Sequence, residues 1–196
     1  MLPRIIAKLR AIAPKIQEEI VASNEASDLR RREADIALRN FQPTQPYLIV
    51  GKLKDVSARL YAATSYLEQI GYPKSAKDLE QVDFIGFDTG DRFIAALNDM
   101  GLNVSKRNFP LLSASHTTQW EPVKQGLGIG IMPDEIGDAE PLVQQVLPEF
   151  PPLVFPVWLT THRELRNSRR IRIVFDLLAE ELGRQSGSQE NGSVLI

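Results

Sequence analysis

Short apolar runs of β type alternate along this chain with segments whose apolar residues recur at helical spacing, and that alternation narrows the fold more than any other feature. Leu2, Ile5, Ile6, Leu9, Ile12 and Ala13 share one helical face, with Pro3 near the first turn and Pro14 ending the pattern. Ala34 to Leu38 reads as a short buried strand, Tyr47 to Val50 and Ser57 to Ala62 as two more, and Thr64 to Ile70 as a short helix closed by Gly71. Asp83 to Asp88 reads as a strand, with a turn at Thr89-Gly90-Asp91 and a helix through Phe93, Ala96, Leu97 and Met100 that stops at Gly101. Phe109 to Ala114 and Ile129 to Met132 are strand-like, separated by a polar turn and a short helix ending near Gly126. Leu153 to Thr161 is a longer strand, and Ser168 to Gly183 a helix with Ile171, Val174, Phe175, Leu178 and Leu182 on one side. Ile16 to Ala22 fits a strand no better than a helix, while Ser23 and Asn24 read as caps of a short charged helix. The alternation predicts an α/β class, with parallel sheets covered by helices favoured over an antiparallel sandwich.

Composition sets outer limits. At 196 residues and 43% hydrophobic content the chain can bury a real core, as one large domain or two small lobes. Its 23 Lys and Arg against 25 Asp and Glu leave a net charge of −2, which supplies no global positive field for a nucleic-acid backbone. Cysteine is absent, so disulfides, thiolate nucleophiles and cysteine zinc sites are excluded. The basic opening MLPRIIAKLRAIAP lacks the uninterrupted apolar core and small-residue cleavage site of a secretory signal. No apolar run approaches the roughly 18 to 20 residues that span a bilayer. The expectation is a soluble cytoplasmic protein with no membrane partner.

Motifs for catalysis are missing. Gly126-Leu127-Gly128-Ile129-Gly130 tempts a dinucleotide reading, but that fingerprint follows a strand and opens a helix, and here the order is reversed. A tight helix-to-strand turn with one glycine at positive φ is the expectation instead. His116 and His162 belong to no metal-ligand spacing, and no G-x-S-x-G nucleophile signature occurs. Neither enzyme activity, nor a metal, nor a cofactor is expected. Arg30-Arg31-Arg32 and the series Arg163, Arg166, Arg169, Arg170, Arg172 read as solvated helix faces interleaved with Glu33, Glu164 and Asp176, ahead of nucleic-acid contact.

What remains is geometric. In open parallel sheets ligands bind beyond the carboxyl ends of strands, where helix N-termini offer free N–H groups and a partial positive charge. That rule gathers Ser23-Asn24, Arg39-Asn40-Phe41, Thr89-Gly90-Asp91 and Ser115-His116-Thr117. Each can be a helix cap, a ligand contact, or both, and the sequence leaves these open.

The order of the pieces resembles a known family, the effector-binding domain of LysR-type transcriptional regulators. LPRIIAKLRAIAPKIQEEI is similar to the family's helix, proline, strand opening, and LRRREADIALR to its leucine, charged turn, Asp-hydrophobic-Ala segment. VKQGLGIGIMP matches the signature Val-x-x-Gly-Leu-Gly-Ile-x-x-x-Pro most specifically, and the resemblance runs from Leu2 to Gly183. It implies two Rossmann-like α/β lobes joined by two crossing strands, the type 2 periplasmic-binding-protein-like fold. Lobe one would comprise residues 1–55 and 157–185, lobe two residues 56–156, and residues 186–196 a polar tail. It also implies a small-molecule effector in the cleft between lobes, with contacts from Ser23, Asn24, Arg39, Asn40, Phe41, Thr89, Gly90, Ser115, His116 and Val157. Arg39 or His116 would pair with a carboxylate.

Two departures from the family shape further expectations. Its winged helix-turn-helix is missing, so DNA would be contacted only through that absent part, and the domain would assemble as a homodimer or homotetramer. The strand that precedes Pro3 in the family is missing too, which leaves an empty position in the sheet of lobe one. The apolar tip Ser193-Val194-Leu195-Ile196 has the composition to be donated there as a strand. The rival reading is a free-standing or transport-linked small-molecule binding protein of the same fold.

Overall fold

The computed structural model describes residues 2–22, 34–86 and 91–183. The chain divides into two compact units, Met1–Val21 with Glu25–Val56 and Phe155–Ile196 in one, and Ala22–Asn24 with Ser57–Val154 in the other.

In the first unit a helix α1 (Leu2–Ile12) packs on the last helix, α6 (Arg169–Gly183). Their apolar stripes meet: Ile5 and Leu9 of α1 are buried with Leu177 and Leu182 of α6. Pro3 sits in the first turn, where its missing N–H costs nothing, and the chain leaves the helix before Pro14. Strand β1 (Ile36–Arg39) pairs antiparallel with a later strand, β7 (Leu153–His162), in a register that sets Ile36 opposite Thr161 and Arg39 opposite Trp158. Thr160 and Thr161 are buried, and their hydroxyls donate to the carbonyls of Ala37 and Asp35 at 3.2 and 2.8 Å, so neither buried polar group is orphaned.

The second unit is built on the far half of β2 (Leu48–Ala63), which pairs antiparallel with β5 (Gly130–Pro133) and β6 (Val143–Gln145). Strands β3 (Ile85–Gly86) and β4 (Leu111–Leu112) pair in parallel, and a parallel bridge joins Phe84 to Ile129. Helices α2 (Thr64–Ile70), α3 (Asp91–Asp99), α4 (His116–Lys124) and α5 (Asp134–Gly137) fill the connections. Leu60, Ala62, Leu67, Leu79, Phe84, Leu97 and Ile129 form the main core, and Tyr61, Ile85, Trp120, Val123 and Met132 a second cluster. Asn108 is buried among them, its amide donating to the carbonyls of Glu80 and Val82 at 2.9 and 3.1 Å and accepting from the Ser105 N–H at 2.9 Å.

Several expectations need correction. Tyr47–Val50 and Ser57–Ala62 are not separate strands but parts of one 16-residue strand, β2. Between the two runs, Lys52 and Asp55 form an exposed 2.8 Å ion pair and the backbone stays extended. The preference for parallel sheets holds for β3, β4 and the Phe84–Ile129 bridge, whereas β1 pairs antiparallel with β7, and β2 antiparallel with β5 and β6. The strand expected over Phe109–Ala114 shrinks to Leu111–Leu112, both exposed, while Phe109 is buried beyond its end. Residues 16–22 form neither helix nor strand, and Ile20 and Val21 are 59% and 66% exposed. Among the described residues β1 has β7 as its one strand neighbour, so the outer edge of β1 carries no ladder there. The helix expected after Ser23 and the tip Ser193–Ile196 lie outside the described residues.

Candidate functional site

The glycine run after α4 is a packing device. Gly126 adopts φ +76°, and a Cβ there would fall 2.7 Å from the Ser65 hydroxyl. A Cβ at Gly130 would fall 2.4 Å from a methyl of Val123, so α4 and β5 approach closely because position 130 has no side chain. These glycines hold protein against protein, as a helix-to-strand turn requires.

The strand-end residues fall into separate groups, one per unit. In the first unit Arg39 ends β1 opposite Trp158, and Asn40 and the 49% exposed Phe41 follow it in a bend. Val157 precedes Trp158 on β7, so Arg39, Asn40, Phe41 and Val157 gather at one end of the β1–β7 pair. Trp158 belongs with them although sequence reasoning passed it over. Its indole Nε1–H is buried with no acceptor among the described residues, and such a donor costs stability unless an acceptor is supplied to it.

In the second unit Ser115 caps α4, its hydroxyl accepting the Thr118 N–H at 3.3 Å, while its own N–H donates to the Ser113 hydroxyl at 3.1 Å. His116 opens the helix, exposed as a residue, and desolvation of its ring holds its pKa below the ordinary imidazole value. The loop is anchored from beneath. The Ser113 N–H donates to the Gly86 carbonyl at 3.0 Å, and the buried Gln119 amide donates to the Ser113 carbonyl. A Cβ at Gly86 would fall 2.5 Å from the Phe109 ring, so the β3–β4 end that feeds this loop is tightly packed. Gln119 was missed because an amide in mid-helix reads as solvent-facing; its one sequence clue is the spacing of four residues from the cap Ser115.

Asp134 was missed as well. It follows β5, its Oδ2 accepts from the Arg59 guanidinium at 3.3 Å, and its Oδ1 is buried without a partner among the described residues. Ser23, Asn24, Thr89 and Gly90 lie outside the described residues. No helix among the described residues is long and apolar enough to cross a membrane.

Comparison with known proteins places these loops in a family. The LysR substrate binding domain family matches residues 1–183. The HTH-type transcriptional regulator CrgA of Neisseria meningitidis serogroup C (strain 8013) is 26% identical over 188 residues, covering 93% of this chain. The chain spans 63% of that relative's length. Among solved structures, the regulatory domain of CrgA from Neisseria meningitidis superposes with a TM-score of 0.79 at 26% identity, covering 93% of this chain and 92% of that one. The effector domain of AmpR from Pseudomonas aeruginosa shares the fold at 16% identity, with a TM-score of 0.72 over 94% of this chain and 88% of that one. The fold is thus the two-lobe, type 2 periplasmic-binding-protein-like α/β architecture, and the chain belongs to the LysR substrate-binding domain family.

Proposed function

We propose that this chain is the effector-sensing part of a bacterial LysR-type transcriptional regulator, with residues 1–55 and 157–185 acting as one lobe and 56–156 as the other. A small molecule is taken up by Arg39, Asn40, Phe41 and Val157 at one strand end and by Ser115 and His116 at another, with Ser23, Asn24, Thr89 and Gly90 completing the set. The observation that carries this reading is the buried Trp158 Nε1–H, without an acceptor among the described residues, opposite Arg39 at the strand end where the sequence rule put the ligand. Arg39 supplies a forked donor suited to a carboxylate. The chain performs no chemistry on what it binds, works in the cytoplasm, and assembles with copies of itself. Ligand binding favours one arrangement of the lobes and so biases an attached DNA-binding part by its difference in affinity between states.

A thermal-shift screen of small carboxylates, amino acids and aromatic acids tests it. A true effector at about 100 times its dissociation constant adds roughly 2.7 kcal/mol of stability. Arg39→Ala in the first unit and His116→Ala in the second should each weaken the same ligand by about tenfold or more. A ligand indifferent to both substitutions would sink the site.

A further inference from the structure

Five arginines stand in ten residues where the turn after β7 enters α6: Arg163, Arg166, Arg169, Arg170 and Arg172, with no lysine among them. All five are exposed, and none forms a side-chain ion pair or hydrogen bond among the described residues. Of the carboxylates expected to interleave with them, Glu33 lies outside the described residues, and neither Glu164 nor Asp176 pairs with one of these arginines among the described residues. Glu164 lies 3.8 Å from His162 Nδ1, and α6 has no acidic residue in its first turn. Five like charges with no counter-charge among the described residues repel one another, and two of them sit at the end of α6 where the helix dipole is already positive. Such an arrangement is relieved by an anionic partner.

Charge is also divided between the units. Residues 57–154 carry 13 Asp and Glu against 7 Lys and Arg, and the rest of the chain carries 12 against 16. The net charge of −2 therefore conceals a basic unit that bears the arginine patch and an acidic unit that does not.

We infer that the arginine patch at the start of α6 contacts the phosphate backbone of duplex DNA without reading its sequence. This inference rests on the reading of the chain as part of a DNA-bound regulator. Arginine's planar fork matches phosphate oxygens bidentately and stays charged at any working pH. The acidic unit would be repelled by the same backbone, so the contact also orients the domain, with its basic unit toward the duplex. Alone, the chain binds weakly, and the patch adds to an attached DNA-binding part by making a second contact with the same duplex.

The test is fluorescence anisotropy of the full chain on a labelled duplex of arbitrary sequence. Three phosphate contacts predict a salt slope of about −2.7, so affinity should fall roughly 40-fold for a fourfold rise in salt from about 20 mM. The variant Arg166→Gln/Arg169→Gln/Arg170→Gln should lose at least about tenfold, while the charge-matched Arg4→Gln/Arg10→Gln/Lys15→Gln loses no more than about twofold. Equal losses in the two variants, no binding by the wild-type chain at low salt, or equally tight binding of poly-glutamate would each overturn it. The last result would assign the patch to an acidic protein. Effector binding in the thermal-shift screen is independent of all these outcomes, so the two readings can fail separately.

Discussion

The ring of Tyr61 occupies the space that a side chain at position 137 would need: a Cβ on Gly137 would fall 2.2 Å from the ring carbon Cζ. Tyr61 lies on β2 and Gly137 ends α5, so this contact clamps the short helix after β5 onto the long strand. Gly137→Ala must push either the ring or the helix aside in a cluster that also holds Trp120, Val123 and Met132. The expected cost is about 1 to 3 kcal/mol, read as a lower midpoint in urea with an unchanged slope. A substitution that leaves the midpoint in place would show that α5 is free to move off the strand.

The same tyrosine gives the chain an alkaline limit. Its hydroxyl donates to Asp138 at 2.8 Å, and burial, then the neighbouring carboxylates of Asp138 and Asp134, push its pKa well above the ordinary value near 10. The folded state therefore holds a proton that the unfolded state releases. Stability from this group is fully present below about pH 10 and is lost as pH rises beyond it. Tyr61→Phe should remove part of the stability loss above about pH 10, at the cost of one charge-assisted hydrogen bond at neutral pH. Identical alkaline unfolding curves for the two proteins would exclude Tyr61 as the group responsible.

The core clusters and the strand-end loops were legible to different depths. Helices α1 and α6 were read nearly to the residue, because each carries an apolar stripe with a proline or glycine near its end. Gly71, at φ +78°, closes α2 where a glycine at the end of an apolar helix predicts it. Strand β2 was read as two because only the runs Tyr47–Val50 and Ser57–Ala62 stand out in the sequence, and nothing local reports that β5 and β6 pair along the strand's far half. Tertiary pairing decided it. The polar residues beneath the loops were illegible for a similar reason: Gln119, Asn108 and Trp158 are ordinary by composition, and only their burial gives them a structural task.

Asn108 shows how much such a task is worth. Its side chain satisfies two carbonyls and one N–H around the turn that leads into β4, and it is 3% exposed. Asn108→Leu keeps the volume and removes all three bonds, leaving buried backbone groups unpaired at about 1 to 3 kcal/mol each before relaxation or water entry. A loss of at least about 2 kcal/mol is expected in urea unfolding, larger than for Asn98→Leu. Asn98 bridges the Val104 N–H and carbonyl at 2.8 and 2.9 Å but stands exposed on α3, where water can replace it. Equal losses at both positions would mean that burial of the amide does not set its worth.

His116 carries the sharpest test of the proposed site, because two effects of opposite sign meet on one imidazole. Desolvation depresses its pKa, so the ring is neutral at pH 7, and the stability it contributes to the free chain is present above about pH 6.5 and lost as pH falls below it. A bound carboxylate does the reverse. It favours the imidazolium, so binding takes up a proton and affinity should climb as pH falls through the same range. A carboxylate found by thermal shift should therefore bind about tenfold tighter at pH 5.5 than at 7.5, provided the ligand stays ionised, and His116→Gln should flatten that rise. Affinity that stays level across the range in the wild-type chain would move the carboxylate from His116 to Arg39, whose guanidinium does not titrate there.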